Sequence, residues 1–151
     1  YPAEELPASR SIVTFARAPF RFPPKEDGCP NNVVCVGQAL TVPEDTYCGL
    51  AVLGAAERCS EDAVTFVAAT GDAIRVPLRL SDWWPGARGH FGNRLALRCS
   101  CRHYPRHVQA DMTPALWVHR ASFRPVRTRL AWLPDHPAMH VFALTLTRAV
   151  A

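Results

Sequence analysis

Arg94-Leu95-Ala96-Leu97-Arg98-Cys99-Ser100-Cys101-Arg102-His103 reads as a β-strand, and its two faces set the terms for the rest of the chain. Side chains alternate along a strand, so Leu95, Leu97, Cys99, Cys101 and His103 are expected on one face. Arg94, Arg98 and Arg102 fall on the other, with Ala96 and Ser100. One face suits a core; the other is cationic. Cys99 and Cys101 would stand about 6.6 Å apart along such a strand, near the limit for bridging each other. Each is therefore expected to reach a different partner.

Working outward, residues 63–69 (AVTFVAA) and 73–80 (AIRVPLRL) flank Gly71-Asp72 and read as a hairpin, with Ile74, Val76, Leu78 and Leu80 on one side. Residues 11–15 form a short β-branched run that Phe20-Arg21-Phe22 would extend, and a second strand is expected from Cys35 through Val42. Pro43-Glu44-Asp45 reads as a break. Residues 47–59 fit either a strand or a helix capped by Asp45 or Thr46, and the preferred reading is a strand followed by a turn near Gly54 that could include a short helix. Three further strands are expected at 115–123, 126–133 and 139–148, the last with His140, Phe142, Leu144 and Leu146 on a common face. About eight or nine short strands, 14 prolines and no convincing amphipathic helix indicate an all-β fold, a single antiparallel β-sandwich or partly open barrel. Residues 1–10 read as an extended N-terminal arm and 11–151 as one domain.

Six cysteines without a pair of C-x-x-C knuckles suit an oxidising compartment: secreted, periplasmic, or at a virion or cell surface. The expected bridges join Cys29 to Cys35, and Cys99 and Cys101 each to one of Cys48 and Cys59. A first residue Tyr1 is compatible with a removed leader, and no apolar run reaches the ~18 residues of a membrane-spanning helix.

The net charge is +4, and Lys25 is the only lysine among 17 basic residues. Arg75, Arg79, Arg98, Arg102, Arg127 and Arg129 all project from strand candidates on the side opposite the apolar residues. If those strands are neighbours, the arginines form a wall that suits a protein partner with an acidic surface, or an anionic lipid or glycan; nucleic acid is not the expected partner. The plain alternative is a solvated sheet face with cross-strand acidic partners, its arginines reflecting GC-rich coding. The loop 81–93 (SDWWPGARGHFGN) adds Trp83, Trp84 and Phe91, residue types suited to a binding hot spot or to capping the core edge.

Two sharper chemistries compete. Cys99, Cys101, His103 and His107 offer soft and imidazole ligands for zinc, but Cys-x-Cys is tighter than a zinc knuckle, so no metal or other cofactor is expected. Six histidines could supply an acid–base pair, yet no esterase elbow, H-E-x-x-H or phosphate-binding loop accompanies them.

Gln38-Ala39-Leu40-Thr41-Val42-Pro43-Glu44-Asp45, Gly71-Asp72-Ala73-Ile74-Arg75-Val76-Pro77-Leu78 and Asn93-Arg94-Leu95-Ala96-Leu97-Arg98 together resemble bacterial envelope lipoproteins of the YscW/YbaY pilotin-like type. That resemblance, over about half the chain, implies a small β-sandwich, and its pilotins bind outer-membrane secretins. The resulting expectation is a non-catalytic secreted or envelope protein-binding module using the arginine faces and the tryptophan loop. The rivals are a secreted viral protein capturing a host receptor or cytokine, and a histidine-dependent secreted hydrolase or nuclease.

Overall fold

The computed structural model describes residues 1–26, 30–84, 86–104 and 106–150. After a 3-10 turn at Ala3–Glu5, the chain forms β1 (Ile12–Phe15), β2 (Ala18–Arg21), β3 (Val33–Val36), β4 (Ala39–Ala56), β5 (Ser60–Ala68) and β6 (Ala73–Leu80). It continues with β7 (Arg94–Arg98), β8 (Arg102–Tyr104), β9 (His107–Gln109), β10 (Ala115–Trp132) and β11 (Asp135–Arg148). No described helix is long and apolar enough to cross a membrane.

Seven strands make one antiparallel sheet in the order β3-β11-β4-β10-β5-β6, with β7 also on β10. The two 18-residue strands β4 and β10 are its spine. The first part of β10 pairs with β4 and β7, and its last part pairs with β4 and β5. The register shift between Ser122 and Val126 lies where β10 passes from β7 to β5, and a second, between Thr128 and Leu130, lies within the part paired with β5. An extra residue in one strand locally bends it. The expected strands 115–123 and 126–133 are therefore one bent strand.

Residues 50–56 of β4 are buried without exception because the strand has a core on each side. Leu50, Val52 and Ala56 pack with Val64, Phe66, Val76, Leu78 and Leu80 in one cluster. Ala51, Leu53 and Ala55 pack with Phe20, Phe22, Leu116, Trp117 and Phe142 in the other. Such a strand loses the apolar/polar alternation of a half-exposed one, which is why this segment also fits a helix on pattern alone. Gly54 belongs to the same crowding: a Cβ there would stand 2.6 Å from the His140 carbonyl oxygen and 3.1 Å from Leu80 Cδ1.

Several expectations are corrected by the pairing. Pro43-Glu44-Asp45 does not end a strand: β4 runs through it as a bulge, with β10 pairing at Asp45 and again at Thr41, and no turn falls near Gly54, since β4 continues to Ala56 between β10 and β11. The break falls instead at Gly37, whose φ of +75° is a left-handed conformation that favours glycine. Residues 11–22 fold back as a two-strand hairpin rather than one extended run. In β11 a shift between Val141 and Ala143 puts Phe142 in one cluster and Leu144 against the other. The hairpin of residues 60–80 forms as read, with Ile74, Val76, Leu78 and Leu80 all toward one cluster.

The stretch 94–103 is also not one strand. It divides into β7, on β10, and β8, which pairs only with β9 in a separate two-stranded ribbon. Cys99 and Cys101 consequently share no strand face. Cys35, Cys48, Cys59, Cys99 and Cys101 are free thiols, while Cys29, the expected partner of Cys35, lies outside the described residues. Cys99 is buried at the level where Arg98 pairs with Ala115, near the Ala56 end of β4. Cys48 lies eight residues back along that strand, its sulfur 3.6 Å from the Arg148 carbonyl oxygen. Eight strand residues span roughly 26 Å, far beyond the ~7 Å Cα separation a disulfide tolerates.

At the sheet edge, β3 carries three exposed valines, Val33, Val34 and Val36. The Gln38 amide accepts from Val36 N at 2.9 Å and donates to the Val34 carbonyl at 2.5 Å, satisfying two of the edge's backbone groups. Side-chain capping of this kind makes an edge a poor template for another strand.

Candidate functional site

The loop between β6 and β7 is held at its two ends. Asn93 Oδ1 accepts from Ser81 N at 2.9 Å and Ser81 Oγ at 2.8 Å, and Ser81 Oγ accepts from His90 N at 2.9 Å. His119 extends this buried lock. Its Nε2–H donates to the Pro77 carbonyl at 3.0 Å, leaving Nδ1 to accept from Asn93 Nδ2 at 3.3 Å. Burial lowers the His119 pKa, which fits this neutral tautomer. Trp117 Nε1 donates to the Asp82 carbonyl at 2.8 Å, and Ala115 N donates to the Trp83 carbonyl at 3.0 Å. A surface loop with tied ends and its own packed side chains presents its tip in a set position.

The His90–Asn93 turn at the C-terminal end of the loop, closed by Asn93 N donating to the His90 carbonyl at 2.8 Å, meets the β1–β2 hairpin across a groove of about 540 Å³. Arg17, Arg94 and Arg120 supply its charge, Phe91 and Leu95 its exposed apolar surface, and Val118 its floor. Phe91 and Leu95 are 44% and 49% exposed, high for side chains of this kind. Among the described residues none of the three arginines forms an ion pair; Arg120 Nη1 donates to the Ala16 carbonyl at 3.1 Å.

Two left-handed turns build the groove. Ala16 and Arg17 have φ of +48° and +62°, and Phe91 and Gly92 have +55° and +75°. Ala16-Arg17 joins Phe15 to its partner Ala18, the two-residue hairpin geometry that normally selects Asn-Gly. Left-handed backbone at Ala, Arg and Phe costs on the order of 1–2 kcal/mol per residue, and such strain clusters at binding and catalytic surfaces.

The other expected binding residues are distributed around the sheet. Arg75 pairs with Asp62 at 3.3 Å, Arg79 with Glu61 at 2.6 Å and Arg127 with Glu44 at 3.0 Å, each pair crossing between neighbouring strands. Arg129 is exposed on the later part of β10. Arg79 also lies 6.0 Å from the Phe91 ring, which ties it to the groove. Arg98 spans to the loop, donating to the Thr113 and Ala87 carbonyls at 3.1 and 3.0 Å. Arg102 stands apart, stacked on Trp83 and Tyr104 beside a second, smaller cavity. Trp84 is 53% exposed, its ring edge-on to Trp83 at 5.5 Å.

Of the histidines, His119 is in the buried lock, His103 lies 3.3 Å from Glu4, His107 stacks on Tyr104 and His140 bonds Asn32. Cys99, the first of the zinc-like quartet, is buried among Leu6, Phe20 and Leu116, and burial pushes its thiol up to about 11. Arg17, Arg94, Arg120 and Leu95 are groove residues that sequence reading did not name as binding residues, although Arg94 is expected on the cationic face. Arg17 comes from a turn with no turn signature, Arg120 from the middle of a strand, and Leu95 is expected on a buried face that the division of the strand removes.

The profile of the AziU2-like beta-sandwich domain family matches residues 1–150, and the chain belongs to that family. No curated protein matches it.

Proposed function

We propose that this AziU2-like β-sandwich domain is a non-catalytic binding module whose groove takes an acidic protein segment bearing an apolar side chain. The carrying observation is the pairing of three arginines free of ion pairs with two exposed apolar side chains, Phe91 and Leu95, on strained, anchored turns. Guanidinium groups form directed, charge-assisted bonds with carboxylates, and an apolar centre with a charged rim is the usual anatomy of an interaction site. Arg79, stacked over Phe91, and the exposed Trp84 extend the same surface. The earlier expectation of a protein partner with an acidic surface is thus moved from a continuous arginine wall to this groove. The likeness to pilotin-like lipoproteins adds only that small β-sandwiches can serve as partner-binding modules.

The test is fluorescence anisotropy with labelled peptides rich in Asp and Glu, with and without a central Phe or Leu. Acidic peptides carrying the apolar residue are expected to bind, and to weaken as salt rises. Replacing Arg17 and Arg94 together with Ala should lower affinity about tenfold or more and flatten the salt dependence, leaving the melting temperature unchanged. Peptide binding that is indifferent to both replacements refutes the groove as the docking site.

A further inference from the structure

The smaller cavity, about 190 Å³, lies away from the groove and is lined with a different chemistry. Arg102 lies against two aromatic rings: its guanidinium carbon is 4.6 Å from the Trp83 ring centre and 4.5 Å from that of Tyr104. Stacking engages the flat faces of a guanidinium and leaves its N–H edge available. Among the described residues the Arg102 guanidinium makes neither an ion pair nor a hydrogen bond, while its backbone pairs with Gln109 in the β8–β9 ribbon. Glu57, just past the end of β4, lines the same cavity, its backbone N–H anchored on the Ala138 carbonyl at 2.8 Å and its carboxylate likewise without an ionic partner.

His140 adds an acceptor. Asn32 Nδ2 donates to Asn31 Oδ1 at 2.9 Å, which orients the amide so that Asn32 Oδ1 faces His140 Nδ1, also at 2.9 Å. The neutral imidazole therefore carries its proton on Nδ1, and Nε2 is left to accept. Phe142, braced edge-on by the Tyr1 ring at 5.4 Å, and Pro114 supply apolar wall.

A cation and a carboxylate that share a cavity without pairing complement a ligand carrying both charges. We infer that this cavity binds a small zwitterion, an α-amino acid or close analogue with an apolar side chain. Arg102 takes its carboxylate, Glu57 its ammonium with His140 Nε2 as second acceptor, and Phe142 and Trp83 its side chain. A lone anion would meet the Glu57 charge and a lone amine the Arg102 charge, so each is disfavoured. The volume lies below the roughly 300–1,000 Å³ of sites for drug-sized ligands, which restricts the occupant to a small molecule.

The probe is L-leucine, titrated at millimolar concentration into the ¹⁵N-labelled chain and followed by amide shifts. Isocaproate and isoamylamine serve as controls of similar size that keep one charge each. L-Leucine is expected to give saturable shifts centred on residues 55–57, 83, 102 and 140–142. Glu57→Gln, an exposed position, should weaken it about tenfold or more, as should removal of either charge from the probe. Non-saturable shifts, an affinity unchanged in Glu57→Gln, or isocaproate binding as tightly as L-leucine would each overturn the proposal. Arg17→Ala and Arg94→Ala should leave the titration unchanged, so its outcome is read separately from that of acidic-peptide binding.

Discussion

The middle of β4 and the loop between β6 and β7 are both rich in large apolar side chains, yet they use them in opposite ways. Residues 50–56 are wholly buried, with β10 and β11 on the strand's two edges and a core on each face. In the loop, Trp84 and Phe91 are 53% and 44% exposed although Ser81, Asn93 and Trp117 hold it firmly. Apolar character therefore does not decide burial here; the number of neighbouring strands does. The loop's order comes from polar locks at its ends, which leaves its aromatic surface available for contact.

The contrast is most sharply broken by truncating one aromatic from each region. Phe66 is fully buried and stacks on Phe123 at 5.0 Å, so Phe66→Ala should cost about 3–5 kcal/mol of unfolding free energy in urea denaturation. Trp84→Ala should stay within about 0.5 kcal/mol of the parent, as exposed substitutions usually do. A large loss in Trp84→Ala would mean that the loop belongs energetically to the core.

The polar lock gives the next effect. Asn93→Ala leaves the Ser81 N–H and His119 Nδ1 without partners in a buried place, an expected loss of about 1–3 kcal/mol. The same lock carries a pH dependence. Burial depresses the His119 pKa in the folded state, so the unfolded chain binds a proton more readily. Above about pH 6.5 both states are neutral and no stability is lost; as pH falls through and below that value, stability declines until the folded state also protonates. Protonation would also put an N–H at Nδ1 against the Asn93 amide donor, while the Asn93 oxygen is already engaged by Ser81. Melting temperatures across this range, with the His119 ring titrated by NMR, check the sign. A His119 that titrates at or above its ordinary value would break the account.

The smallest effect belongs to the paired arginines. Arg75 is 72% exposed in its side chain, so Arg75→Ala should cost no more than about 0.2–1 kcal/mol, and less at high salt. Double-mutant cycles with Asp62→Ala measure that coupling directly. A coupling well above this range would show the β5–β6 edge to be a structural ion-pair site.

The hairpin of residues 60–80 was legible because Val64, Phe66, Val76 and Leu78 keep a period of two against one core and Gly71 supplies the left-handed turn. The candidate groove was legible only in part. Phe91 stood out by residue type and Arg94 by its place on a cationic face, but Arg17 reaches the groove through a turn built from Ala16-Arg17, which has none of the usual turn residues. The Arg120 guanidinium holds that turn from a strand more than a hundred residues away, a contact no local pattern signals.

What the chain determines by itself is local: the abundance of strands, the period-two faces of β5 and β6, and the excess of arginine all follow from side-chain alternation and composition. The tertiary structure alone decided which strands continue and which divide. β4 runs on past Pro43 because β10 pairs with it on both sides of a bulge at residues 42–44, whereas 94–103 separates because β10 pairs only as far as Arg98 and β8 finds β9 instead. Pairing is non-local, so the path of a strand depends on partners that its own residues do not name. The two cavities are products of that same pairing, each assembled from elements distant in the chain.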